Sequence, residues 1–172
     1  MTTTAAARLV RAVVPLLLAA LVLAGLVLLG KARQEGRADH VANHAVVDPS
    51  ATAQVQTAVS KALTQVFSYD TSDAAPTQQA ADLLLVGQAR RDYDLLFAAL
   101  RKQAAGQQIT QTATVQAAAV TALRGDRATL LVFLDQAAQR ASDHQAQYAA
   151  AQLRVEARRT KGVWMISAIT TL

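Results

Sequence analysis

The chain has 172 residues, 52% of them hydrophobic and 4% aromatic, with 17 Lys/Arg against 12 Asp/Glu. Scattered basic residues with so few aromatics argue against a nucleic-acid binder, which gathers Lys/Arg on one face beside aromatic partners. The lack of any cysteine excludes disulfides, thiolate metal sites and a cysteine-linked lipid anchor.

From Ala12 to Gly30 the chain carries 19 residues without a charge, mostly Leu, Val and Ala. As a helix this run is about 28 Å long, close to the hydrocarbon thickness of a bilayer. Pro15 near its start and Gly25 inside it both suit a bilayer helix. The run exceeds the apolar stretch of a cleavable signal peptide, and the one small-x-small site, Gly30-Lys31-Ala32, carries a lysine. A single uncleaved transmembrane helix is therefore expected. Arg8 and Arg11 precede it and Lys31, Arg33 and Arg37 follow, so the charge bias is nearly balanced. The short tail, residues 1–11, and the long C-terminal part fit a cell-membrane protein with a cytoplasmic N-terminus and an extracytoplasmic domain.

Residues 31–49 are polar and aperiodic and read as a juxtamembrane stalk. Residues 50–172 then make one domain, with 12 Lys/Arg and 9 Asp/Glu. Asp48-Pro49-Ser50 is a helix start, with Asp48 as cap and Pro49 at the first position. Val55, Val59, Ala62, Leu63, Val66 and Phe67 recur on one helical face, and this helix should end near Tyr69, before the turn residues 70–73. Pro76 opens a shorter helix that Gly87 closes. A third helix is expected from about Gln88 to Ala105, with Tyr93, Leu96, Phe97 and Leu100 on its apolar stripe and Gly106 as its stop.

The period then changes from 3.6 to 2. Ile109 to Leu123 reads as a strand with Ile109, Ala113, Val115 and Ala117 on one side. Arg124-Gly125-Asp126 is a hairpin signal. Arg127 to Gln136 is apolar at both parities, which predicts a central strand covered on both faces. Residues 137–145 read as a polar loop. A further strand, Gln147 to Ala157, turns at Thr160-Lys161-Gly162 into a last strand, Val163 to Thr170. Three helices followed by four meandering strands make an α+β domain, its helices packed on one face of an antiparallel sheet. Ala149, Ala151, Leu153 and Val155, with Trp164 and Ile166, should line that helix-facing surface. The small alanines there either let helices pack closely or leave room for a lipid chain or sterol.

Several stretches resemble the Mce-associated membrane proteins. They are Val66-Phe67-Ser68-Tyr69-Asp70, the helix from Gly87 to Phe97 (GQARRDYDLLF), the hairpin from Gly125 to Gln136 (GDRATLLVFLDQ), and the ending Leu153-Arg154-Val155-Glu156-Ala157 with Gly162-Val163-Trp164-Met165-Ile166. The resemblance covers residues 50–172 with the anchor in the family's place. It implies a nuclear transport factor 2-like fold, a cone of helices on a curved sheet. It also implies an accessory role beside Mce lipid-import complexes of actinobacterial envelopes. The partners would be the bilayer, Mce transporter subunits or other Mce-associated proteins, and a lipid ligand if the cone is open.

No Gly-rich phosphate loop, Cys/His cluster or nucleophile elbow is present in the sequence. His40 and His44 are four apart, but Val41 stands where a zinc protease needs glutamate. Asp39 is their only neighbouring ligand type, and His144 lies in the polar loop. The implied fold also hosts isomerases that use an Asp or Tyr at the cone mouth. Tyr69, Asp70, Tyr93, Asp94 and Asp135 would be the candidates, each with a plainer structural role. The expectation is a non-catalytic protein with no cofactor, no metal and no nucleic-acid partner.

Overall fold

The computed structural model describes residues 48–103, 108–140 and 146–172. The expected membrane helix, the stalk, all three histidines and Gly106 lie outside them. Among the described residues, no helix is long and apolar enough to cross a membrane.

Asp48 caps the first helix, α1 (Pro49–Phe67), its Oδ1 accepting from the Ala51 N–H at 2.9 Å. Pro49 lies in the first turn, where its missing N–H costs nothing. Val55, Val59, Ala62, Leu63 and Val66 form the buried stripe. The helix ends at Phe67 rather than near Tyr69, because Ser68 turns extended (φ −95°, ψ 127°). Tyr69–Asp70 then forms a two-residue strand, β1. The sheet therefore has five strands and not four.

Two further helices follow, α2 (Ala75–Leu84) and α3 (Gly87–Gln103). Gly87 joins them at φ 59°, a left-handed conformation that glycine adopts without penalty. The strands β2 (Ile109–Arg124), β3 (Arg127–Arg140), β4 (Ala146–Thr160) and β5 (Val163–Thr171) run antiparallel in the order β1-β2-β3-β4-β5. Residues 137–140 of the expected loop at 137–145 are strand instead. Gln136 to Gln139 pair with Ala146 to Ala149 as strand, since cross-strand backbone bonding tolerates the polar side chains.

Pairing shifts register around Gln116 and Thr121 in β2 and around Ser167 in β5. Bulges of this kind bend a strand and raise its twist, which curls the sheet around the helices. They also break side-chain alternation. Beyond Gln116, Ala118 and Val120 take the inner side and Ala117 is exposed, contrary to the parity expected from the sequence.

All three helices pack on one sheet face. Leu130, Val132 and Leu134 of β3 meet Leu153, Val155 and Ala157 of β4, Trp164 and Ile166 of β5, and the α1 stripe in one buried cluster. The opposite side of β3 is not covered as expected. Leu131 is half-buried, Phe133 is 40% exposed and Asp135 is exposed. Two apolar parities here mark one packed face and one bare face.

Side-chain bonds join α1, α2 and the sheet at one end. Gln111 is buried and donates Nε2–H to Phe67 O (2.9 Å), and Thr77, also buried, donates to Ser68 O (2.7 Å). Ala113 N–H donates to Ser68 Oγ (2.9 Å) and Ile109 N–H to Thr71 Oγ1 (2.8 Å). Each satisfies a backbone group where helix and sheet ladders stop. At the other sheet edge, Val86 N–H donates to Ile166 O (2.9 Å), and Leu85 bridges Ile166 in parallel.

Leu130 is fully buried, so Leu130→Ala should cost about 2–5 kcal/mol, whereas Phe133→Ser should cost no more than about 1 kcal/mol. Chemical denaturation of the two variants measures the contrast. Comparable losses would mean that the outer face is packed after all.

Candidate functional site

The six residues expected on the helix-facing surface lie on β4 and β5. Leu153, Val155, Trp164 and Ile166 are buried in the main cluster, and Ala151 packs against its edge. Ala149 is half-buried farther along β4. It stands across from Gln136, which in turn faces Ala113. The large side chains thus fill the middle of the inner face. Its far end, beyond the last residues of β5, is floored by Ala113, Gln136, Ala149 and Ala151.

The five candidate acid–base residues do not form one site. Asp135 points to the uncovered face, away from the three helices of the described residues. Asp70 shapes a turn: its Oδ1 accepts from Ser72 N–H (2.8 Å) and Ser72 Oγ–H (2.6 Å), and Oδ2 accepts from Thr110 Oγ–H (3.2 Å). The Ser72 bonds hold its carboxyl below the usual carboxylate range. Asp94 is exposed, and its Oδ1 pairs with Arg90 Nη2 at 2.9 Å; Arg90 Nη1 reaches Asp82 Oδ1 at 2.7 Å, tying α3 to α2.

Tyr93 stacks on Phe97 with ring centroids 5.4 Å apart, and Arg90 lies 5.7 Å from the Tyr93 ring centroid. Its hydroxyl is buried and has no hydrogen-bond partner among the described residues. Burial pushes its pKa up to about 12 despite the Arg90 charge, and burial does the same to Tyr69. A phenol that holds its proton so firmly is a poor base near neutrality. Among the described residues, no three His, Cys, Asp or Glu come together to hold a metal.

Two surfaces appear that the sequence reading did not single out. The first is the uncovered sheet face. Phe133 stands between Ala117 and Gln152, and Leu131 between Ala119 and Arg154. The second is the end of the sheet that carries both tight hairpins. Arg124 faces Arg127, and Arg127 faces Arg158, making a row of three exposed arginines across adjacent strands. Basic residues that look scattered along the chain are gathered here by strand register. Residues 124 and 158 are too far apart in sequence for spacing alone to reveal it.

The sequence matches no protein-family model, and it matches no curated protein. Solved structures do share the fold. An IcmL-like type IV secretion system protein from Legionella pneumophila aligns with a TM-score of 0.55 at 10% identity, over 70% of this chain and 91% of that one. A putative transfer protein, TraH, from a Gram-positive conjugative plasmid aligns with a TM-score of 0.53 at 10% identity, over 70% and 92%. A nuclear transport factor 2-like superfamily protein from Salmonella enterica aligns with a TM-score of 0.50 at 12% identity, over 70% and 92%. At these identities the likeness concerns fold alone.

The raised tyrosine pKa values give a sign for pH dependence. Unfolded tyrosines ionise near pH 10, while folded Tyr69 and Tyr93 keep their protons to about pH 12. Between these values the unfolded state binds fewer protons, so stability falls as pH rises through the window. Thermal melts from pH 9 to about 11 should show this loss, and Tyr93→Phe should reduce it. A Tm that stays level in both proteins would contradict the burial of the two phenols. The α+β chain described here, with its curled five-stranded antiparallel sheet, is similar in fold to nuclear transport factor 2-like proteins.

Proposed function

We propose that the protein is a membrane-anchored, non-catalytic accessory subunit that stabilises or helps assemble an Mce-type lipid-import complex in the cell envelope. The observation that carries this reading is the one-sided domain behind an uncharged 19-residue run. Its helices take one sheet face and leave Leu131 and Phe133 uncovered on the other, with no helix of the described residues over them. Uncovered apolar side chains on a sheet face suit a subunit that works against a partner. The fold agrees with the one implied by the resemblance to Mce-associated proteins. The same fold occurs in an IcmL-like type IV secretion system protein and a putative plasmid transfer protein. The separation of Asp70, Asp94 and Asp135 supports the non-catalytic part of the reading.

A second reading, a lipid- or sterol-binding module, draws on the alanines Ala113, Ala149 and Ala151 at the far end of the inner face. The packed middle of the inner face favours the accessory role over it.

Affinity purification of the tagged full chain from gently solubilised membranes should recover transporter subunits, and Phe133→Ser should reduce that recovery without lowering the amount of the protein itself. Deleting the gene should lower transporter abundance. Solitary purification with unchanged transporter levels would refute the proposal. A lipid retained by the purified protein under native mass spectrometry would favour the second reading.

A further inference from the structure

The basic end of the sheet has features that an accessory role does not explain. The two turns at 124–127 and 160–163, with the adjoining last residues of β4, hold five cations, Arg124, Arg127, Arg158, Arg159 and Lys161, against two carboxylates, Asp126 and Glu156. Three of the cations form the cross-strand row Arg124–Arg127–Arg158. Like charges placed directly opposite one another oppose folding, and neutral side chains would serve a solvated sheet end as well.

The two hairpins at this end are also tied to each other. Arg159 Nε–H donates to Asp126 Oδ1 (2.8 Å), and the Arg159 backbone N–H donates to Asp126 O (2.8 Å). The Arg159 guanidinium lies 5.5 Å from the centroid of the Trp164 ring. These contacts clamp the two hairpins together. The second turn takes positive φ at both Lys161 (51°) and Gly162 (83°), which sets Lys161 at its tip. Val163, 53% exposed, stands beside it. Arginines on a fixed platform with an apolar residue at the rim match phosphate-bearing headgroups over acyl chains, since guanidinium groups bind phosphate oxygens in a bidentate manner.

The course of α1 gives an independent indication. Its C-terminal end is pinned at the other end of the sheet, through Ser68 and Gln111. From there the helix runs back about 28 Å along β2 and reaches β5, which pairs only with the Leu153–Thr160 half of β4. Asp48, where the chain continues toward the uncharged run, is thus carried toward the basic end. The 17 residues from Lys31 to Val47 limit its distance from the end of that run to about 60 Å.

We propose that the basic end of the sheet docks on anionic phospholipid headgroups of the bilayer that holds the anchor, with Arg124, Arg127, Arg158 and Lys161 as the headgroup-binding side chains. This rests on the reading of residues 12–30 as a membrane anchor. Docking fixes the domain upright on the bilayer, with the uncovered sheet face directed sideways along the membrane surface.

The absence of native cysteine allows single-site labelling of the full chain. Val163→Cys carrying an environment-sensitive nitrobenzoxadiazole probe is reconstituted in nanodiscs of phosphatidylcholine, or of phosphatidylcholine with about one-third phosphatidylglycerol. The expected result is a blue shift in the anionic discs alone. It should disappear at about 1 M salt, where the Debye length falls to about 3 Å, and in the R124Q/R127Q/R158Q variant. A Tyr148→Cys probe, at the far end of the sheet, should show no shift. If the triple variant misfolds, K161Q and the salt series on the otherwise unaltered chain carry the comparison. Equal spectra in both disc types, or a response at residue 148 instead of 163, overturns the docking. A chain that enters neither disc overturns the anchor, and with it the docking built on that anchor.

Discussion

One-sided burial along the central strands is the constraint on which the rest of the structure depends. Leu130, Val132 and Leu134 alternate with Leu131, Phe133 and Asp135, and only the first set is sealed from water. Leu153, Val155 and Ala157 repeat the pattern on the neighbouring strand. A sheet with one apolar face needs one covering layer, and the stripe of α1 supplies most of it. Slipping either strand by one residue would exchange the two faces completely. The position of the helices, the packed interior and the uncovered outer face all follow from this alternation.

A second constraint decides direction. Where α1 stops, Gln111 donates to Phe67 O, Thr77 donates to Ser68 O and Ala113 N–H donates to Ser68 Oγ, and these bonds fix the end of the sheet from which the helix sets out. With that end fixed, the entry point at Asp48 and the two clamped hairpins lie toward the opposite one. The short β1 comes from the same joint. It covers only the start of β2, and the bulges at Gln116 and Thr121 distort the edge that continues beyond it. Bulges are one way to keep an exposed strand edge from pairing with another chain.

Much of this was legible in the residues. The valines and leucines of α1 repeat at helical spacing, Asp48-Pro49 marks its start, and Gly125 and Gly162 mark the turns. The expected set Leu153, Val155, Trp164 and Ile166 falls on one face because β4 alternates cleanly and the bulge in β5 comes only after Ile166. Alternation gave no guidance at Ala117-Ala118-Ala119, where three identical side chains hide the change of parity that follows the bulge at Gln116. Leu131 and Phe133 read as a second buried face because apolar character does not reveal whether anything covers it. The arginine row was invisible for a different reason: it exists only in cross-strand register, which no local pattern encodes.

In the proposed account the domain acts as a support and not as a reaction vessel. Its acidic and phenolic groups are dispersed, turned into caps and turns, or buried with their protons, while its distinctive surfaces face outward. In that account the tether is part of the function, because a helper domain must stand beside the membrane complex it serves. The most direct measurement is complementation of a deletion strain by an exported fragment, residues 33–172, present at the level of the full chain. The account predicts that this fragment fails while the full chain succeeds. Full complementation by the untethered fragment would contradict it.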